Sequence, residues 1–72
     1  MSLESVKNKV HGLRTASGLT QEEFANAVGV TRQTVISIEK GNYVPSVLLA
    51  IKIAKQFKVT VEEVFTIVCI KK

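Results

Sequence analysis

The stretch Leu19–Gly41, LTQEEFANAVGVTRQTVISIEKG, reads as two short helices joined by a tight turn, each with its own start signal. Thr20 is a candidate N-cap, and Glu23 three residues on completes a capping box, in which side chain and backbone of the two residues satisfy each other. Leu19 before the cap and Phe24 after it have the spacing of a hydrophobic staple. Thr31 opens the second helix in the same way, with Val30 and Val35 as the staple. Between the two lies Gly29, a residue that can take the left-handed conformation needed to end one helix and swing into the next. Two helices joined by a short turn containing Gly are the sequence form of a helix-turn-helix.

Working outward, Leu3, Val6, Val10 and Leu13 step by three and four, which predicts an amphipathic first helix. Ser2 is its expected cap and Gly18 its end. His11 falls near the edge of the stripe, as a solvated or partly packed side chain or as a phosphate contact. The second helix is expected over about residues 21–28 with Phe24, Ala27 and Val28 inward, and the third over about 32–40 with Val35 and Ile38 inward. Gly41-Asn42 is a turn signal, and Pro45 makes Tyr43-Val44-Pro45 an extended linker. Ser46 caps a fourth helix over about 47–57, with Val47, Ala50, Ile53, Ala54 and Phe57 as its core stripe and Leu48 and Ile51 as surplus apolar surface. Thr60 with Glu63 repeats the capping box for a fifth helix, with Val59 and Val64 as staple. The tail Thr66-Ile67-Val68-Cys69-Ile70 is rich in β-branched residues, so it either continues that helix or forms a short edge strand. Cys69 is expected as a small buried hydrophobe. The fold class predicted is all-α, a compact five-helix bundle spanning residues 1–72 as a single domain.

Composition narrows the function. Seventy-two residues, 46% of them hydrophobic, support one small core. A net charge of +4 suits a polyanionic partner without proving one. One cysteine, one histidine and no aspartate leave no nucleophile–base pair and no metal-ligand spacing, so no catalytic residue, cofactor or metal site is expected. Met1 to Val10 carries charges where a signal peptide needs an apolar run, and Ile67 to Ile70 is too short to span a bilayer; a cytoplasmic protein with no membrane partner is the expectation.

On the third helix, Arg32, Gln33, Ile36, Ser37 and Lys40 lie away from the Val35 and Ile38 face. An α-helix fits the major groove of B-DNA, where Arg pairs with guanine and Gln with adenine. Arg32 and Gln33 are therefore the main candidate base readers, with Ser37 a shorter, less selective one. Ile36 either presses on a thymine methyl or simply packs. Gln21, opening the second helix, and the hydroxyls of Thr31 and Thr34 are candidate phosphate contacts.

The segments Leu19–Ala25, Val28–Val35 and Ile38–Gly41, with Pro45-Ser46, Ile53-Ala54, Phe57 and Val59–Phe65, resemble the Cro/CI-type (XRE) helix-turn-helix family of phage repressors and small bacterial transcriptional regulators. The resemblance covers roughly residues 8–66. It implies a lambda-repressor-like fold, base readers at Arg32, Gln33 and Ser37, and phosphate contacts at Gln21, Lys40 and Asn42, with Tyr43 beside them. It also implies a partly buried structural ion pair, Arg14 with Glu39, between the first and third helices; a direct phosphate contact is the alternative for Arg14.

A single reading helix contacts few base pairs, so proteins of this kind usually pair across half-sites about one DNA turn apart. A homodimer is thus expected, with Leu48, Ile51, Phe65, Ile67, Val68 and Ile70 as its interface; packing of the tail onto its own core is the alternative. The expected function is sequence-specific binding of double-stranded operator DNA by a small homodimeric repressor. The competing reading is a protein-interaction module on the same scaffold, such as an antitoxin-like protein, because the apolar tail leaves a protein partner open.

Overall fold

The computed structural model describes residues 2–71, and side chains between 4 and 69. In chain order the elements are β1 (Ser2–Asn8), α1 (Val10–Ala16), α2 (Gln21–Val28), α3 (Arg32–Glu39), α4 (Val47–Phe57), α5 (Val61–Val64) and β2 (Phe65–Lys71). Five helices thus pack as expected, but the chain is not purely α: β1 and β2 pair antiparallel in a two-stranded sheet, from Asn8 opposite Phe65 to Ser2 opposite Lys71.

The helix expected from Ser2 is therefore corrected. The three-and-four stepping of Leu3 and Val6 is genuine, but seven residues of weak helical stripe face a β-branched tail with strong strand preference, and pairing with it overrides the local period. The register sets Val6 opposite Ile67 and Ser5 opposite Val68. Asn8 marks the change of geometry. Its Oδ1 accepts from the Val10 amide at 3.1 Å, where α1 begins, and its Nδ2 donates to the Ile38 carbonyl at 2.9 Å. Ser2, expected to cap, lies eight residues before that start. At the other end α5 stops at Val64, short of the expected Thr66, because Phe65 already has extended geometry (φ −116°, ψ 130°). Cys69 is exposed rather than buried, since the ribbon has no third strand or helix over it among the described residues.

Every other helix start follows its sequence signal. Thr20 and Glu23 form the full capping box, with the Thr20 amide donating to Glu23 Oε1 at 2.8 Å and the Glu23 amide to Thr20 Oγ1 at 3.0 Å. Thr60 and Glu63 do the same at 2.7 and 3.2 Å. Ser46 caps α4 by accepting from the Leu49 amide. Gly29 closes α2 at φ +77°, and the Val30 amide then reaches back to the Ala25 carbonyl at 2.9 Å. That left-handed step costs glycine nothing and aims α3 across α2.

The core comprises Val10, Phe24, Ala25, Val28, Val35, Ile38, Leu49, Ile53, Ala54 and Val64, with the Phe24 and Phe57 rings stacked at 5.0 Å. Two expectations shift by a residue or two. Ala25, not Ala27, is the buried alanine of α2. On α4 Leu49 is buried, whereas Val47, expected inward, is 77% exposed. The sequence VLLAIKIAKQF is apolar around most of its circumference, so its period cannot choose which stripe faces in.

Candidate nucleic-acid interface

Helix α3 is held from within and presents its outer side to solvent. Val35 and Ile38 are fully buried, and Thr31 fixes the first turn by accepting from the Thr34 amide at 3.2 Å. The Thr31 and Thr34 hydroxyls also bond each other at 3.0 Å, which leaves one hydroxyl proton of the pair for an outside acceptor. Arg32, Gln33 and Lys40 are exposed and Ser37 is half-buried.

The predicted residues assemble along this helix rather than scattering over the surface. A depression of about 350 Å³ on one flank is lined by Thr31, Gln33, Thr34, Ser37, Asn42 and Tyr43. It gathers six of the nine expected DNA contacts. On the other flank a recess is lined by Arg14, Thr20, Gln21, Glu22 and Arg32, which brings Gln21 beside Arg32. Lys40 sits at the C-terminal end of α3, just before the Gly41 turn (φ +80°) that leads to Asn42.

The orientation of α3 is set by a buried ionic cluster. Arg14 Nε donates to Glu39 Oε2 at 2.6 Å, its Nη2 to Glu39 Oε1 at 3.3 Å and its Nη1 to the Leu19 carbonyl at 2.8 Å. Both side chains are over nine-tenths buried. The Arg14–Glu39 pair is therefore present between α1 and α3, and Arg14 is committed to it. Gln21 Nε2 donates to Glu39 Oε1 at 3.2 Å, tying the first residue of α2 into the same carboxylate. Burial works to raise the Glu39 pKa, but the hydrogen bonds from Arg14, Gln21 and His11 and the Arg14 charge outweigh it, so the carboxyl lies below its ordinary value. His11 joins at the rim. Its Nδ1 lies 3.1 Å from Arg14 Nη2 and 3.3 Å from Glu39 Oε1, and it accepts from the arginine or donates to the carboxylate according to which ring nitrogen carries the proton.

Two features escaped the sequence reading. Asn8 braces the C-terminal end of α3 through the Ile38 carbonyl; its signal, a cap-type side chain just before Val10, was hidden by starting α1 at Ser2. The exposed apolar surface includes Leu48 and Ile51, as expected, and extends further, to Val44 and Val47. Val47, Leu48 (66% exposed) and Ile51 (41%) lie at helical spacing on one face of α4, and the exposed Tyr43 and Val44 (61%) belong to the linker that leads into it. Ile67 is likewise exposed on the ribbon and Val68 is half-buried, while Phe65, just before the tail, packs against the core. The side chain of Ile70 lies outside the described residues. Among the described residues no group of His, Cys, Asp and Glu could hold a metal ion, and no helix is long and apolar enough to cross a membrane.

A helix-turn-helix family model matches residues 11–64. The chain is 58% identical over 60 residues to YgzD of Bacillus subtilis, an uncharacterized HTH-type transcriptional regulator, covering 83% of this chain and 91% of that one. It is 38% identical over 56 residues to the cryptic phage CTXphi transcriptional repressor RstR of Vibrio cholerae, covering 78% of this chain and 50% of RstR. Its fold is similar to that of the restriction-modification controller protein C.AhdI from Aeromonas hydrophila, with a TM-score of 0.71 at 33% identity over 76% of this chain and 83% of that one. The chain therefore belongs to the Cro/CI-type (XRE) family of helix-turn-helix transcriptional regulators, a DNA-binding class and not one of enzymes.

Proposed function

We propose that the protein is a homodimeric repressor that binds double-stranded operator DNA in the cytoplasm, the whole chain acting as one DNA-binding domain with α3 in the major groove. The observation that carries this is the gathering of Gln33 and Ser37 with Thr31, Thr34, Asn42 and Tyr43 in one depression along α3, with Arg32 and Gln21 on the opposite flank. Arg32 and Gln33 read bases bidentately and Ser37 adds a single contact. Gln21, Thr31, Thr34, Lys40, Asn42 and Tyr43 hold phosphates and fix the register. Repression is favoured by the likeness to RstR, which is named as a repressor.

A second copy meets this one along Leu48 and Ile51, joined by Val44 and Val47. Four exposed large apolar residues within eight positions are more than a monomer needs, and pairing there would set the distance between two reading helices. Ile67 and Val68 of the ribbon extend the interface. Phe65, already packed on the core, has little surface left to offer.

The test is fluorescence anisotropy against duplex DNA from upstream of the protein's own coding region, beside a scrambled duplex, over a salt titration. The wild type is expected to prefer the native duplex by about a thousandfold or more, as specific binders do. Arg32→Ala/Gln33→Ala is expected to lose that preference and keep weak, salt-sensitive binding. No binding to any duplex at low salt would sink the proposal and leave the α4 stripe as the lead to a protein partner.

A further inference from the structure

Among the outward residues of α3, Ile36 alone is left between two readings, contact with a thymine methyl or simple packing. An α-helix advances about 100° per residue, which places Ile36 about 40° from Arg32, about 60° from Gln33 and about 160° from Ile38 around the axis. It therefore lies between the two candidate base readers in projection, close to one turn further along the helix. Lys40 continues the same row a turn later.

Its packing is as telling as its position. Ile36 is half-buried, yet the apolar side chains that pack on the core from its rim are Leu13, Leu19, Val30, Phe57, Val59, Val61 and Phe65, and Ile36 is not among them. A β-branched residue is also a poorer helix former than Ala, Gln or Lys. Among the described residues, no core contact of α3 calls for isoleucine here. Its neighbours Arg32, Gln33, Ser37 and Lys40 all recognise hydrogen-bonding groups, whereas the major-groove edge of a base pair offers one apolar feature, the C5 methyl of thymine. We propose that Ile36 is a specificity-determining residue that reads the C5 methyl group of a pyrimidine in each half-site.

This rests on α3 entering the major groove and adds an apolar element to the code that Arg32 and Gln33 begin. One helical turn is about 5.4 Å and DNA rises about 3.4 Å per base pair, so the methyl belongs one or two base pairs from those that Arg32 and Gln33 contact. Thymine and 5-methylcytosine carry the same methyl, so both are tested.

Preferred duplexes are selected by the wild type from a randomised library. Each dT is then replaced in turn by dU, which removes only the methyl, and each dC by 5-methyl-dC, which adds only that. Affinities for wild type, Ile36→Ala and Ile36→Val are read by anisotropy at one salt concentration. At one position per half-site, dU is expected to weaken wild-type binding about fourfold, the worth of one buried methyl. Ile36→Ala should be indifferent to that change and Ile36→Val nearly as sensitive as the wild type. An Ile36-dependent gain at 5-methyl-dC, with no such dU position, would support the methyl contact and assign it to methylated cytosine. The proposal is overturned if neither series contains a position whose methyl effect disappears in Ile36→Ala. Arg32→Ala/Gln33→Ala on the same duplexes separates the two failures. Loss of preference in that variant, with every methyl effect unchanged in Ile36→Ala, would reject the role of Ile36 and leave the reading helix intact. If the library yields no preferred duplex, both readings fall.

Discussion

Replacing Arg14 by methionine keeps most of its packing volume and removes the charge that faces Glu39. Three hydrogen bonds to oxygen go with it, two to the carboxylate and one to the Leu19 carbonyl, together with the contact to His11 Nδ1. Breaking a buried pair by removing one partner costs about 3–5 kcal/mol. Gln21 still donates to Glu39, so the lower end, about 3 kcal/mol, is expected. A domain of this length has roughly 4–11 kcal/mol of stability in all, so the variant would fold but with a clearly lower urea midpoint. In the wild type the folded-state pKa of Glu39 is depressed, so the stability it contributes is present above its unfolded value and is lost as pH falls through the folded one. In Arg14→Met the same carboxyl is buried without its cation, and protonation relieves it. The difference between wild type and variant should therefore be largest near neutral pH and shrink in acid. Adding Glu39→Gln to Arg14→Met should recover part of the loss, because it removes the stranded charge. Urea unfolding followed by circular dichroism from neutral pH to about pH 4 checks each step. A penalty under about 1 kcal/mol, or one that does not change with pH, would refute the view that this pair clamps α3.

Three further outcomes are expected. Gly29→Ala should destabilise by about 1 kcal/mol in a urea melt: a methyl there meets open space, Lys52 Nζ being 4.0 Å away, so the cost is the left-handed backbone at φ +77°, partly offset in the unfolded chain. Lys58→Gly should act in the opposite sense and raise the thermal midpoint by a few degrees, because Lys58 closes α4 at φ 58° against its side-chain preference. Lys40→Gln should weaken binding to all duplexes alike and reduce the slope of log K against log salt by about one unit, as loss of a phosphate contact requires, with the ranking of operators unchanged.

The legible parts of this fold are those whose cause lies within a few residues. Thr20 with Glu23, Thr60 with Glu63 and the Gly29 step are each complete inside one helical turn, and each took the expected form. The polar face of α3 was readable for the same reason, since Val35 and Ile38 define its opposite side. What stayed hidden depends on distant partners. Whether Leu3 and Val6 belong to a helix or a strand is decided by residues at the other end of the chain. Which stripe of α4 turns inward is decided by the shape of the core, because Val47 and Leu49 are equally apolar. The convergence of Gln21, His11 and Arg14 on Glu39 required three helices to meet, and only the family likeness anticipated any of it.

The ribbon also determines the order in which the molecule can come apart. Its paired residues stand 57 to 69 positions apart, so the loop between them is affordable only after the helices have drawn its ends together. Zipping would then run outward from the Lys9 amide on the Val64 carbonyl, through Asn8 opposite Phe65, to Ser2 opposite Lys71. Opening runs the other way, and amide protection should fall towards the tip, since two strands with open edges hold each other only marginally. The innermost tooth of this zipper is Asn8, whose side chain also grips the end of α3. Fraying of the strand tips leaves α3 undisturbed; only when the zipper opens to its root does that helix lose a brace.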